Sequence, residues 1–369
     1  MRVALLGAGA GGAAAAAELT NAGHEVRWWA RRDETLQPFR AAGGVRHQGL
    51  LGEGLATPAL MTSSLRDAIA GADVGVVTLP TTAHGPTARA LAEAAWPHDR
   101  PVVLNPGHTG GALEFSRAWE LGPDSMSGST GATPPIAELS TLTYVARLSD
   151  PGTVSVTGRA RTLRVAALPG GEAAIRAAQA LFAAASPVRD VIASGLSNVN
   201  LVLHPPGAIL AAAWVEATGG DFTFYVQGMT PGVGRVLEAL DAERLAVAAA
   251  FGHALPNLVE EMRAIGTVEP ETPPATPFAE AIAAAAANRF IRAPGSFEHR
   301  YYREDFGHGV LAFAEMAKVA GVAVPVAESL FTIAEHLLGG DLRGRGRTAE
   351  AMGIAGFSKA DLERKVRSG

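Results

Sequence analysis

One short unit near the N-terminus restricts the folds open to this chain. Arg2 to Leu6 reads as a buried strand, followed by Gly7-Ala8-Gly9-Ala10-Gly11-Gly12. Ala13 to Asn21 reads as a helix ended by Gly23, and Glu25 to Ala30 as a second strand. A GxGxxG spacing between a strand and a helix is the context in which a backbone meets a dinucleotide pyrophosphate. Gly7 permits the tight turn, Gly9 lets the backbone approach the phosphates, and Gly12 lets helix and strand pack closely. The helix N-terminus then faces the phosphate charge. Gly7, Gly9, Ala10, Gly11 and Gly12 are the expected cofactor contacts. The competing reading is a tight strand–helix turn with no ligand.

The end of the second strand bears on which dinucleotide fits. An acidic residue there commonly binds the ribose hydroxyls of NAD. Here the chain reads Trp29-Ala30-Arg31-Arg32. Guanidinium groups suit a 2′-phosphate, so Arg31 and Arg32 point to NADP, while Asp33 keeps NAD open.

The rest of the first half continues the alternation of strands and helices. Ala41 to Ser64 reads as a glycine-containing loop, Ser64 to Ala70 as a helix and Asp73 to Leu79 as a strand. Pro80, at the end of that strand, joins the expected cofactor contacts, because loops after strand C-termini line the crevice of a doubly wound sheet. His84 and His108 lie on such loops; the latter follows the strand Pro101 to Leu104 and the run Asn105-Pro106-Gly107. Ser140 to Arg147, Thr153 to Thr157 and Thr162 to Ala167 alternate as strands that extend the first sheet, and Glu172 to Ala185 reads as a helix. Beyond Val188 helices dominate. The expected fold is an α/β Rossmann domain with a parallel sheet over residues 1–186, then an all-α domain over 187–369.

With 369 residues, two sizeable cores are possible. A net charge of -5 gives no basic footprint for nucleic acid. The lack of cysteine excludes disulfides, thiolate catalysis and thiolate metal sites, and no metal is expected. It suits a reducing compartment, so a cytoplasmic location is expected. Met1 to Ala17 has some marks of a signal peptide, but its glycines interrupt the apolar run. No unbroken apolar run reaches membrane-spanning length. Ala-rich apolar helices in the second half suit a homodimer interface or a core.

Two stretches of the helical half carry chemistry. In Ser197 to Gly207, an apolar run ends in His204-Pro205-Pro206. Proline lacks an amide proton and clashes with a preceding turn, so the helix carrying Leu201 to Leu203 is expected to stop at or before His204. The imidazole then sits at an element end, as a proton donor or as a satisfied helix-end histidine. Asn200, one turn earlier, shares its face. In Ser296 to Gly307, a dense polar and aromatic mix precedes an apolar helix from Gly309, and Asp305 reads as an ordinary helix N-cap.

Several stretches together resemble the opine dehydrogenase family, which includes the octopine and nopaline dehydrogenases. They are Asn198 to Pro206, His299 to Asp305, the Asn-Pro-Gly loop at 105–107, Glu138 to Arg147 and the N-terminal glycine loop. The resemblance implies a Rossmann domain followed by an all-helical domain. It implies NAD(P)H-dependent joining of an amino acid or amine to a 2-oxo acid, through an imine reduced to a secondary amine. The family's His–Asp dyad falls on His204 and Asp305, its carboxylate-binding arginine on Arg300 with Arg303 as the alternative, and a pocket threonine on Thr141. His108 stands where another polar pocket residue is found. Two alternatives remain: a ketone or 2-hydroxy acid dehydrogenase resembling ketopantoate reductase or glycerol-3-phosphate dehydrogenase, and a non-catalytic NADP sensor. The former usually rely on a catalytic lysine, and the first lysine here is Lys318.

Overall fold

The computed structural model describes residues 1–122 and 132–367. The chain divides into two compact units, with the break after Val191 and with His108–Gly110 belonging to the second unit.

Among the described residues the first unit has twelve strands: β1 (Arg2–Leu6), β2 (Glu25–Trp29), β3 (Val45–Gly49), β4 (Gly54–Ala56), β5 (Leu60–Thr62), β6 (Val74–Val77), β7 (Val102–Leu104), β8 (Ile136–Leu139), β9 (Tyr144–Leu148), β10 (Thr153–Arg159), β11 (Leu163–Ala167) and β12 (Ala185–Pro187). Eight form one sheet in the order β12-β11-β8-β7-β6-β1-β2-β5. From β5 to β8 the pairing is parallel, and β11 then runs antiparallel to β8. The order β5-β2-β1-β6-β7-β8 is the doubly wound one, whose switch point lies between β1 and β6. Strand β1 has neighbours on both edges, and Val3 to Leu6 are fully buried, which explains its unbroken apolar run.

Four expectations for this unit need correction. Ala41 to Ser64 holds β3, β4 and β5 rather than a loop. These strands are short, and glycines at 44, 49 and 52 take positive φ between them, so no alternation is long enough to register. The strand expected from Ser140 starts at Tyr144. The Asn105 amide donates to Thr143 Oγ1 at 2.9 Å and accepts from Thr143 N–H at 3.2 Å, holding residues 140–143 in a turn. Strands β9 and β10 do not extend the large sheet; they pair with β3 and β4 in a second, four-stranded sheet. The boundary expected after residue 186 falls inside β12, which pairs with β11 through Val165 and Pro187.

The second unit is helical. Its longest helix, Pro231–Ala250, is N-capped by Thr230 and starts on proline, which needs no hydrogen-bond partner for an amide there. Leu237, Leu240, Phe224, Phe306 and Phe313 are fully buried. Among the described residues no helix is long and apolar enough to cross a membrane.

Candidate active site

In the first unit the glycine turn is fixed from several sides. Trp28 donates its indole N–H to the Gly7 carbonyl at 2.8 Å, and Thr78 Oγ1 donates to the Leu6 and Gly7 carbonyls. Gly7 has φ +122°, and a Cβ there would meet Thr78 at 2.9 Å. A Cβ on Gly12 would lie 2.1 Å from the Gly7 carbonyl oxygen, so strand and helix can approach only through glycine. A Cβ on Gly11 would meet Leu142 at 2.9 Å, which places the turn containing half-buried Thr141 against the loop. Gly9 differs: it is exposed, and nothing lies within 4 Å of its Cβ position. Helix Ala10–Asn21 starts there with no side-chain cap, leaving its first amides for an anion. A groove of about 240 Å³ adjoins Ala8, lined by Thr35, Phe39 and the turn from Ser149 to Gly152. These features fit a bound dinucleotide. Pro80 is exposed and opens the short turn after β6. Arg31 and Arg32 are exposed beyond β2, and among the described residues neither makes an ion pair.

In the second unit the helix Asn200–Leu203 stops before His204, and Pro205 starts the next one, Pro205–Leu210. Asp305 departs from the expected N-cap. It lies inside continuous helical structure: the turn Arg300–Arg303, a π-helical stretch Asp305–Val310, and helix Leu311–Ala320. The Gly307 carbonyl accepts from the Arg347 amide at 2.8 Å, which draws that carbonyl toward a partner outside the helix. Wide helical turns of this kind are frequent at functional sites.

The two elements bring His204 Nδ1 within 2.7 Å of Asp305 Oδ2, across 101 residues of sequence. The other ring nitrogen, Nε2, lies 2.8 Å from the Tyr225 hydroxyl, which is 2.9 Å from the Tyr301 hydroxyl. Tyr301 also stacks on the imidazole, with centroids 3.8 Å apart. His204, Asp305 and Tyr225 are 2%, 5% and 3% exposed. Burial holds the imidazole well below its usual range, with the Arg300 charge adding to the effect and Glu304 opposing it. Burial likewise pushes the Asp305 carboxyl up to about 8, against the pull of Arg300. Both shifts disfavour charge. Burial therefore favours a neutral imidazole beside a protonated carboxyl group over an ion pair, the form in which Asp305 donates to Nδ1 and Nε2–H donates to Tyr225.

Around this pair stand three more polar groups. Arg300 is exposed and lies 5.9 Å from the Tyr301 ring centre. Protein packed around its guanidinium works against the charge, but Asp305 and Glu304 outweigh this and hold the group above its usual range. His108 is buried with φ +59° and hydrogen-bonds the Asn198 side chain; burial lowers it, while Glu304 and Asp305 pull the other way. Its segment is clamped: Thr109 Oγ1 donates to the Gly195 carbonyl at 3.0 Å, and Arg347 Nη1 donates to the Thr109 carbonyl at 2.6 Å. Asn200 is half-buried, and among the described residues its side chain makes no hydrogen bond. The sequence reading overlooked Tyr225, Tyr301 and Asn198.

A glycine-loop sheet unit followed by a helical unit with a buried acid–base pair is the plan of a nicotinamide-dependent dehydrogenase. Residues 2–114 match the family model for the NAD-dependent glycerol-3-phosphate dehydrogenase N-terminus, and residues 187–338 match that for the NAD/NADP octopine/nopaline dehydrogenase alpha-helical domain. An opine dehydrogenase of Arthrobacter sp. (strain 1C) is 31% identical over 98% of both chains. Octopine dehydrogenase solved with NADH and agmatine is 20% identical, with TM-score 0.76 over 100% of this chain and 99% of the other. Yersinopine dehydrogenase with NADP+ bound is 15% identical, with TM-score 0.75 over 96% and 97%. The chain belongs to the opine dehydrogenase family, whose members are oxidoreductases acting on CH–NH bonds with NAD(P).

Proposed function

We propose that this enzyme condenses an amino acid or amine with a 2-oxo acid, with His204 and Asp305 handling protons and Arg300 holding the oxo-acid carboxylate. The observation that carries the reading is the buried His204–Asp305 contact beside an exposed arginine that makes no ion pair among the described residues. The chemistry needs these groups. Attack of the amine on the carbonyl carbon gives a carbinolamine. Loss of its hydroxyl as water requires a proton, and the resulting imine accepts a hydride readily only when its nitrogen is protonated. A guanidinium fork binds a carboxylate bidentately and orients the carbonyl. Bound NAD(P)H supplies the hydride that completes the secondary amine.

Gly7, Gly9, Ala10, Gly11, Gly12 and Pro80 are proposed to hold the cofactor. Arg31 and Arg32 favour NADP. Thr141, His108 and Asn200 are proposed substrate contacts, with Asn198 positioning His108. The relatives solved with agmatine, arginine and pyruvate support an amine and a short 2-oxo acid as the substrate classes. A ketone reductase using lysine gains no support, since Lys318 is tied to Glu315 at 3.1 Å on the helix Leu311–Ala320. The assembly proposed is a cytoplasmic homodimer, which light scattering tests for size.

The test is NAD(P)H oxidation with a panel of 2-oxo acids and amines, offered singly and together. Consumption is expected only when both are present. Turnover with a 2-oxo acid alone would replace this reading with a hydroxy-acid dehydrogenase.

A further inference from the structure

Three residues of the helical unit, His108–Gly110, come from far earlier in the sequence than the rest of it. His108 takes φ +59°, a left-handed backbone that a residue with a Cβ keeps only where its surroundings enforce it. Its imidazole is buried and subject to the charges of Glu304, Asp305 and Arg300. Part of the enforcement is packing. A Cβ on Gly195 would lie 3.3 to 3.5 Å from the backbone of residues 108–110, so helix Val191–Leu196 presses directly on the segment. A Cβ on Gly110 would meet Met352 Sδ at 2.4 Å. The rest is hydrogen bonding centred on Thr109. Its Oγ1 donates to the Gly195 carbonyl and accepts from the Asn198 amide at 3.3 Å, and its carbonyl accepts from Arg347 Nη1 at 2.6 Å.

Arg347 stands out in this set. It is fully buried, and taking a guanidinium out of water is costly unless it is well bonded. Its main chain makes a second contact, the amide donating to the Gly307 carbonyl at 2.8 Å. A Cβ on Gly346 would stand 2.7 Å from that same oxygen, so the turn before Arg347 lies hard against the π-helical stretch. One residue thus grips the His108 segment with its side chain and the stretch carrying Asp305 with its main chain.

We infer that Arg347 is a positioning residue for substrate binding: its guanidinium fixes the Thr109 carbonyl, and through it the His108 imidazole, at a set place relative to Asp305. The inference rests on the reading above in which His108 touches substrate. The Arg300 charge bears on the His108 ring, so the 2-oxo acid held by Arg300 is the substrate concerned. The carbonyl cannot turn away without giving up a charged hydrogen bond in a buried site, which keeps the neighbouring His108 backbone in its left-handed state. Replacing the side chain separates the two grips, because the amide on Gly307 survives.

The experiment is a double-mutant cycle of Arg347→Met with His108→Asn, read as kcat, KM for each substrate and NAD(P)H affinity. Asparagine removes the imidazole and accepts the left-handed backbone. Arg347→Met is expected to raise KM for the 2-oxo acid about 10-fold, the scale of one lost hydrogen bond, with kcat and cofactor affinity changed by less than about 3-fold. His108→Asn should raise the same KM by a similar factor. The double variant should match His108→Asn within about 2-fold, since without the imidazole its placement no longer matters. General loosening of the fold gives instead the product of the two effects, about 100-fold, and overturns the inference. So does a normal KM in Arg347→Met beside a raised one in His108→Asn. A normal KM in His108→Asn sinks the reading of His108 as a substrate contact, and the inference with it. Should Arg347→Met not fold, Arg347→Gln enters the same cycle: it keeps a polar side chain at that depth but is too short to reach the carbonyl. A rise in KM that disappears in the His108→Asn background supports the inference, and no rise overturns it.

Discussion

Two buried acid–base contacts in the helical unit are alike in burial and opposite in use. Asp241–Arg244 has side chains 2% and 3% exposed, and His204–Asp305 has 3% and 5%. In the first, every polar direction is spent on structure. Arg244 donates to Asp241, to the Leu196 carbonyl at 2.8 Å and to the Pro256 carbonyl at 2.7 Å, while Asp241 accepts from the Leu258 amide at 2.9 Å. That pair ties three chain segments together and has no proton to trade. In the second, the contacts are side chain to side chain, two tyrosine hydroxyls continue them, and an exposed cation stands beside it. Burial by itself does not make a site; what distinguishes one is polarity left uncommitted to the backbone.

The largest expected effects separate the two pairs cleanly. His204→Ala should lower kcat by about 10²–10⁴-fold with cofactor affinity retained, measured by steady-state turnover and NAD(P)H fluorescence titration. Asp241→Ala should instead destabilise the fold by about 3–5 kcal/mol, because it leaves the Arg244 charge buried without its partner; a urea melt reads this. Turnover per folded Asp241→Ala molecule should stay near normal. If the two variants exchanged phenotypes, the distinction drawn here would collapse.

Arg300 sharpens the same contrast through pH. The protonated form of the His204–Asp305 pair is the competent one in the reductive direction. Turnover is therefore expected to be level below the Asp305 value of about 8 and to fall as pH rises through it. The oxidative direction should show the opposite sign. Arg300 lowers the Asp305 value, so Arg300→Met should move the alkaline limb to higher pH while raising KM for the 2-oxo acid by roughly 10²-fold, the loss of a bidentate charged contact. A limb that stays in place would detach Asp305 from the rate.

How much of this was legible in the sequence follows from how local each feature is. The glycine loop lies within one strand–turn–helix unit, so spacing alone reveals it. His204 and Asp305 were placed by resemblance, since nothing in either stretch announces a partner 101 residues away. Asp305 looked like an N-cap because an acidic residue precedes an apolar run. One contact on the helical stretch that carries it, Arg347 N–H on the Gly307 carbonyl, comes from a distant turn. Tyr225 escaped notice because Asp221-Phe222-Thr223-Phe224-Tyr225 has no helical or strand period and owes its shape to residues 291–293. The available signal was aromatic density between glycines 219–220 and 228. Strands β3 to β5 were lost to glycine for the same reason of shortness.

The smallest effect expected concerns the other unit, where commitment again decides. Asp33 is the acidic side chain nearest the end of β2, and it is already spent. Arg40 Nη1 donates to both its oxygens at 2.7 and 2.8 Å, with Gln37 and Ser63 adding contacts that, after Arg40, hold it below the usual carboxylate range. Arg31 and Arg32 are exposed, and among the described residues neither has an ion pair. An acid so engaged is a poor acceptor for ribose hydroxyls, whereas two uncommitted guanidinium groups suit a 2′-phosphate. The double variant Arg31→Ala with Arg32→Ala should weaken NADPH by roughly 10-fold, the scale of one charged hydrogen bond, and NADH by less than about 2-fold. Fluorescence titration with each reduced cofactor reads the difference. Equal weakening of both would mean that these arginines contact parts common to the two dinucleotides, and that the preference is set elsewhere in the loop or groove.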